Sequence, residues 1–151
     1  MGTERVRQFF ETKGLDYEIK EFEASTATVE LAARALGVSP AEIAKTMAFQ
    51  LKEGPILIVA KGTARIDNRK FKDYFKQRAK MMNPEAVLEA TGYPVGGVCP
   101  FDTTQIEIYL DLSLKEFAYI FPAAGTANST VKITPEALAE IARGTWADLC
   151  V

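Results

Sequence analysis

In the stretch AEIAKTMAFQL (residues 41–51) a lysine leads an alternating row. Lys45, Met47, Phe49 and Leu51 interleave with Ala44, Thr46, Ala48 and Gln50. Successive strand side chains point to opposite faces, so Lys45 shares a face with three large apolar groups. An ammonium at the mouth of an apolar pocket is a compact point charge, suited to a phosphate or a developing oxyanion. The plainer alternative is a strand-end lysine whose stem lies over apolar neighbours while its head stays in water. Two further segments could hold a ligand. VGGVCPFD (95–102) sets Gly96 and Gly97 ahead of Cys99 and Pro100. A glycine pair lets backbone N–H groups approach a ligand closely, and a proline stiffens the loop. FPAAGTANST (121–130) has small side chains around Gly125, with Asn128 and Ser129 as hydrogen-bond donors. A tight turn between two strands is the plainer reading of that segment.

Other chemistry is excluded by composition. The chain of 151 residues has no histidine, which removes Ser-His-Asp and Cys-His catalysis and every His-ligated metal site. Two cysteines, Cys99 and Cys150, form neither a disulfide framework nor a metal-site spacing. Cys99 has no histidine to activate it as a nucleophile and reads as a small pocket liner; Cys150 reads as incidental. Net charge is −2, unevenly spread: residues 61–80 hold eight Lys/Arg and two acids, a local +6 against −8 elsewhere. Within that segment Arg69, Lys72, Lys76 and Lys80 fall at spacings of three and four, on one face of an expected helix, with Phe71, Tyr74 and Phe75 on another. Such a face suits RNA phosphates, although solvated basic helices are also common.

The elements that must position these residues follow from periodicity and caps. Residues 3–13 read as a helix stopped by Gly14, and 15–22 as a strand. Thr28 caps a helix that Gly37 ends, and Ser39-Pro40-Ala41-Glu42 is a capping box delivering the chain to Lys45. Strands are expected at about 45–52 and 55–61, the second continuously apolar and therefore central. Helices start at Asp67 and Asn83, further strands lie at about 105–111, 117–122 and 130–133, and Thr134-Pro135 opens a last helix. The reading is one α/β or α+β domain over 1–151, with a partly antiparallel sheet. No apolar run approaches the roughly 18 residues of a membrane span, and the start has no apolar signal region, so the expectation is a cytoplasmic protein without membrane contact.

The lysine in an AKT segment after a capped helix, the GGVCP loop (96–100), and a late AAG turn followed by TPEAL resemble the YbaK/EbsC family over essentially the whole chain. These are aminoacyl-tRNA deacylases related to the editing domain of bacterial prolyl-tRNA synthetases. The resemblance implies a mixed sheet curled into a barrel-like core with surrounding helices. It also implies a cleft for the aminoacylated 3′ end of a mischarged tRNA carrying a small amino acid. Lys45 matches the family's functional lysine, Gly96 and Pro100 the ends of its G-x-x-x-P loop, and Gly125 its late glycine turn. Met47, Gly97, Cys99, Asn128 and Ser129 then fall around the substrate, and Arg69, Lys72, Lys76 and Lys80 on the tRNA. No metal or other cofactor is implied, and a ribose hydroxyl of the substrate helps activate the water. An aminoacyl-tRNA synthetase is a possible further partner. The reading from a different class is a non-catalytic tRNA- or synthetase-binding module of the same fold. Asp102 stands where many relatives carry glycine, a carboxylate placed to repel phosphate or to bind an α-ammonium group.

Overall fold

The structure, a computed structural model, describes residues 2–103 and 105–151. Helix α1 (Gly2–Thr12) leads to the short strand β1 (Ile19–Glu21). Helix α2 (Val29–Leu36) starts where the Thr28 side chain accepts from Leu31 N–H and stops at Gly37, in the left-handed region at φ 71°. Ser39 and Glu42 close a capping box around a single 3₁₀ turn (Pro40–Glu42), which feeds β2 (Ile43–Leu51). The hairpin strand β3 (Gly54–Lys61) follows. Helix α3 (Asn68–Phe75) is capped by Asp67, and α4 (Pro84–Thr91) by Asn83. Then come β4 (Glu107–Asp111), β5 (Phe121–Pro122) and β6 (Ser129–Val131). Helix α5 (Pro135–Ala142), capped by Thr134, precedes β7 (Thr145–Ala147).

The fold is a mixed α/β single domain. Its main sheet has the order β5-β2-β3-β4-β7, with β2 and β3 antiparallel and the other neighbours parallel. β3 lies at the centre, and Ile56 through Ala60 are at most 3% exposed, as a continuously apolar strand requires. A second, antiparallel pair joins β1 to β6. Bridges from Ile120 to Ile133 and from Ala123 to Thr130 connect that pair to the ends of β5. Among the described residues no helix is long and apolar enough to cross a membrane.

Alternation divides β2 between two cores. Ala44 and Ala48, with Leu57 and Val59 of β3, face a large cluster that includes Val6 and Phe10 of α1, Tyr93, Phe101 and Leu138. Phe49 and Leu51 face the other side, with Ile56, Ile58 and Phe71 of α3; the Phe49 and Phe71 rings are 5.2 Å apart. Three expected elements differ from the sequence reading. The first strand shrinks to Ile19–Glu21. The strand expected at 117–122 keeps only Phe121 and Pro122, with Ile120 before it making an isolated bridge to Ile133; a 3₁₀ turn over Leu112–Glu116, capped by the Asp111 carboxylate, precedes them. Helix α3 ends at Phe75, with Lys76 left-handed at φ 61°.

Candidate active site

The paired side of β2 is complete: Ala44 lies opposite Lys61, and so on to Leu51 opposite Gly54. Its other edge is covered in two pieces. β5 runs beside Ile43 and Ala44 only. Further along, residues 80–82 take over, where Met82 N–H donates to Ala48 O (3.0 Å) and Gln50 N–H to Lys80 O (2.9 Å). Backbone polar groups alternate between the two edges of a strand, so this edge carries those of Ala44, Thr46, Ala48 and Gln50. Thr46 falls in the break between the two pieces. There the sheet opens into a cleft of about 390 Å³. Ala44, Thr46 and Ala48 line it from β2, Met81, Met82 and Val87 from the segment opposite, and Gly96 and Val98 from the glycine loop.

Lys45 and Met47 also line this cleft, but the row they begin does not continue along it. Phe49 and Leu51 belong to the core under α3, so the apolar row expected behind Lys45 is shared between cleft and core. The Lys45 ammonium is half-buried and donates to the carbonyls of Gly62 (3.2 Å) and Ala64, in the turn after β3. Gly62 has no room for a side chain, because a Cβ there would overlap Pro40 O. Burial lowers the Lys45 pKa from the usual lysine value, with Cys150 and Glu30 acting in the opposite direction. An ammonium has three N–H donors, so one remains for a ligand after the two carbonyls.

The two glycine segments meet backbone to backbone. Gly96 borders the cleft at φ 94°, and a Cβ there would lie 2.9 Å from the Ala27 Cβ. Gly97 is buried behind it: its N–H donates to Pro94 O (2.9 Å) and its carbonyl accepts from Gly125 N–H (3.0 Å). The amide of Gly97, offered to a ligand by the sequence reading, is therefore already engaged. Cys99 and Pro100 are buried and do not line the cleft. Cys99 is fully buried, and burial pushes its thiol up to about 12, which leaves it protonated and unsuited to nucleophilic attack. Asn128 and Ser129 hold the turn itself. The Asn128 amide donates to Phe22 O (2.8 Å), and the Thr126 hydroxyl donates to Asn128 Oδ1 (2.8 Å) and pairs with the Ser129 hydroxyl (2.7 Å).

Two threonines that the sequence reading passed over stand in the cleft instead. The hydroxyls of Thr46 and Thr130 are buried without a hydrogen-bond partner, and both residues line the open space. Thr103 carries the third such hydroxyl among the described residues, away from this cleft. Buried polar groups normally find partners, so a cleft with two unpaired hydroxyls is suited to a small ligand with polar atoms. Threonines in strands are commonplace, and nothing in the sequence marks these two. Asp102 faces away from the cleft and pairs with Arg5 (2.9 Å), so its carboxylate is not presented to a ligand there.

The basic residues are exposed but do not share one helical face. Arg69 and Lys72 lie on α3, Lys76 caps it, and Lys80 sits beyond it against the β2 edge, next to Met81 of the cleft wall. Among the described residues no group of three or more Cys, Asp and Glu side chains is placed to hold a metal ion.

Residues 23–141 match the aminoacyl-tRNA editing domain family. The uncharacterised protein YwhH of Bacillus subtilis is 46% identical, over 99% of this chain and 98% of its own. The proline–tRNA ligase of Thermosipho melanesiensis is 28% identical over 98% of this chain, which spans 27% of that enzyme's length. A crystal structure of a candidate trans-editing enzyme for prolyl tRNA synthetase superposes with a TM-score of 0.90 at 31% identity, over 99% of this chain and 97% of that one.

Proposed function

The chain belongs to the aminoacyl-tRNA editing domain family, and from that premise we propose that it is a trans-editing deacylase. Its substrate is a tRNA mischarged with a small amino acid, and its reaction is hydrolysis of the aminoacyl ester. A proline–tRNA ligase, the class of enzyme in which related segments occur, is the proposed source of the mischarged tRNA, in the cytoplasm. The observation that carries this reading is the opening in the β2 edge at Thr46, with Lys45 beside it and Gly96 on the far wall. It places an ammonium donor, a free strand edge and two hydroxyls around one small, largely apolar space.

In the proposed reaction water adds to the ester carbonyl, the bond to the ribose oxygen breaks, and that oxygen takes a proton. The neighbouring ribose hydroxyl of the substrate helps to activate the water. Lys45 directs its third N–H to the terminal phosphate or to the carbonyl oxygen as negative charge develops there. The Thr46 backbone and the hydroxyls of Thr46 and Thr130 hold the polar atoms of the aminoacyl group. The side chains of Ala44, Ala48 and Val98 limit its size.

Release of free amino acid from a panel of mischarged tRNAs, with purified protein and no synthetase, tests the reaction. The panel should include tRNA for proline carrying alanine, serine, threonine or cysteine. Binding without release across the panel would instead establish a non-catalytic binding module. Thr46→Val and Thr130→Val keep shape while removing one hydroxyl. Each is expected to lower kcat/KM by about tenfold, the worth of one good hydrogen bond. Unchanged kcat/KM in both would remove the hydroxyls from the site.

The acceptor stem is proposed to lie across Arg69, Lys72, Lys76 and Lys80. Contacts to phosphates position a nucleic acid without reading its sequence. Replacing Lys72 and Lys80 with alanine should weaken binding of all tRNAs alike. The slope of log K against log salt should flatten by roughly 0.7–0.9 per lost contact. An unchanged slope would place the stem on another surface.

A further inference from the structure

The loop that carries Gly96 and Val98 into the cleft leaves α4 at Thr91 and returns to the core at Phe101, with exposed Asp102 next to it. One guanidinium spans both points. Arg5 on α1 donates through Nη1 to Thr91 O (2.7 Å), through Nη2 to Asp102 O, and through Nε to the Asp102 carboxylate (2.9 Å). Its plane lies over the Tyr93 ring, 4.3 Å from the centroid. A planar, fork-shaped cation is the side chain able to meet two carbonyls and a carboxylate at once. Tyr93 adds a second tie beneath it, donating its hydroxyl to Phe101 O (2.7 Å). Asp102 itself is held at φ 58°, a conformation that aspartate tolerates better than most residues. Helix α1 is in turn fixed from below, with Val6 and Phe10 buried and Phe10 edge-on to Phe101 at 5.0 Å.

We propose that Arg5 is a positioning residue: lying outside the 23–141 segment that matches the family, it clamps both ends of the glycine loop and so fixes Gly96 and Val98 against the ligand. The loop has a fixed neighbour on its other flank, where Gly97 rests on the backbone of Gly125 and Thr126. Held between α1 and that turn, it has one place to sit. In this account Asp102 holds Arg5 in register and has no contact with the substrate. The consequence for turnover rests on the hydrolytic reading above, whereas the consequence for the loop does not.

Hydrogen exchange and turnover, measured on Arg5→Ala and Arg5→Lys, test the clamp. Arg7→Ala is the control, because Arg7 lies on the same helix but pairs with Glu21 (3.6 Å) instead of the loop. In Arg5→Ala the amides of residues 92–102 should exchange faster. The kcat for amino-acid release should fall about tenfold with tRNA affinity unchanged, a fraction of the roughly 10²-fold that a misplacement of about 1 Å costs. Arg5→Lys, with charge but no fork, should recover part of the loss, and Arg7→Ala should behave as wild type in both measurements. Unchanged exchange over 92–102 in Arg5→Ala would overturn the clamp. Faster exchange with wild-type kcat would overturn its role in positioning. If the wild-type protein releases no amino acid at all, the hydrolytic reading falls, and exchange alone judges the clamp.

Discussion

Lys45→Ala is expected to lower the rate of amino-acid release on the order of 10²-fold or more, the cost of deleting one preorganised donor from a transition-state site. Two of the three ammonium protons are committed to the carbonyls of Gly62 and Ala64, which restrains the head group beside the cleft before any ligand binds. Lys45→Arg keeps the charge but replaces a compact point donor with a broad planar fork, so it should restore little. Burial lowers the lysine pKa, so rising pH should remove its charge earlier than for a solvated lysine. Enzymatic release, corrected for spontaneous ester hydrolysis, should therefore decline on the alkaline side, and Lys45→Ala should lack that decline. Single-turnover release near the wild-type rate in Lys45→Ala would remove Lys45 from the chemistry.

The second large effect is expected at Gly97→Ala. A Cβ at Gly97 would stand 2.7 Å from the backbone N and Cα of Thr126 and 2.8 Å from the carbonyl carbon of Gly125. Backbone cannot swing aside as a side-chain tip can. The two segments must part by several tenths of an ångström, which also stretches the Gly125 N–H to Gly97 O bond of 3.0 Å. Overpacking of this kind costs about 1–3 kcal/mol of stability. Turnover should suffer more, because the displaced loop carries the cleft wall: a shift approaching 1 Å costs roughly 10²-fold. Thermal unfolding and kcat on the same preparation check both parts. Wild-type values for both would mean that the segments separate freely and that their contact sets nothing.

What could be read from the sequence is what short-range hydrogen bonds dictate. The helix caps at Thr28, Asp67, Asn83 and Thr134 each join a side chain to an amide two or three residues away, and each stands where the sequence places it. The central position of β3 was legible from its unbroken apolar run. The extents of the short strands were not. β1 and β5, expected at 15–22 and 117–122, keep three and two residues, and β7 was not expected at all; each ends where its distant partner stops pairing with it. At the site, the β2 segment and the glycine loop were legible through the motifs around Lys45 and Gly96, but the wall formed by Met81, Met82 and Val87 was not. Nor were the roles of single residues. Asn128 looked free to serve a ligand because its partner, Phe22 O, is 106 residues away. Asp102 looked like a substrate group because Arg5 is 97 residues away. Thr46 and Thr130 become notable only once their hydroxyls are seen to lack partners.

The break in the β2 edge bears on self-association as well as on ligands. Bare amides at the side of a sheet invite a strand from another chain, and proteins usually block or shorten such edges. Here the bare stretch lies between the last β5 pairing at Ala44 and the first contact of residues 80–82 at Ala48, leaving Thr46 alone on that side. An incoming strand needs several consecutive positions to hold on. At this opening it would meet β5 at one end and the Met81 segment at the other. The break is wide enough for a small group and too narrow for a strand, so the protein can keep it permanently open without recruiting its own copies there.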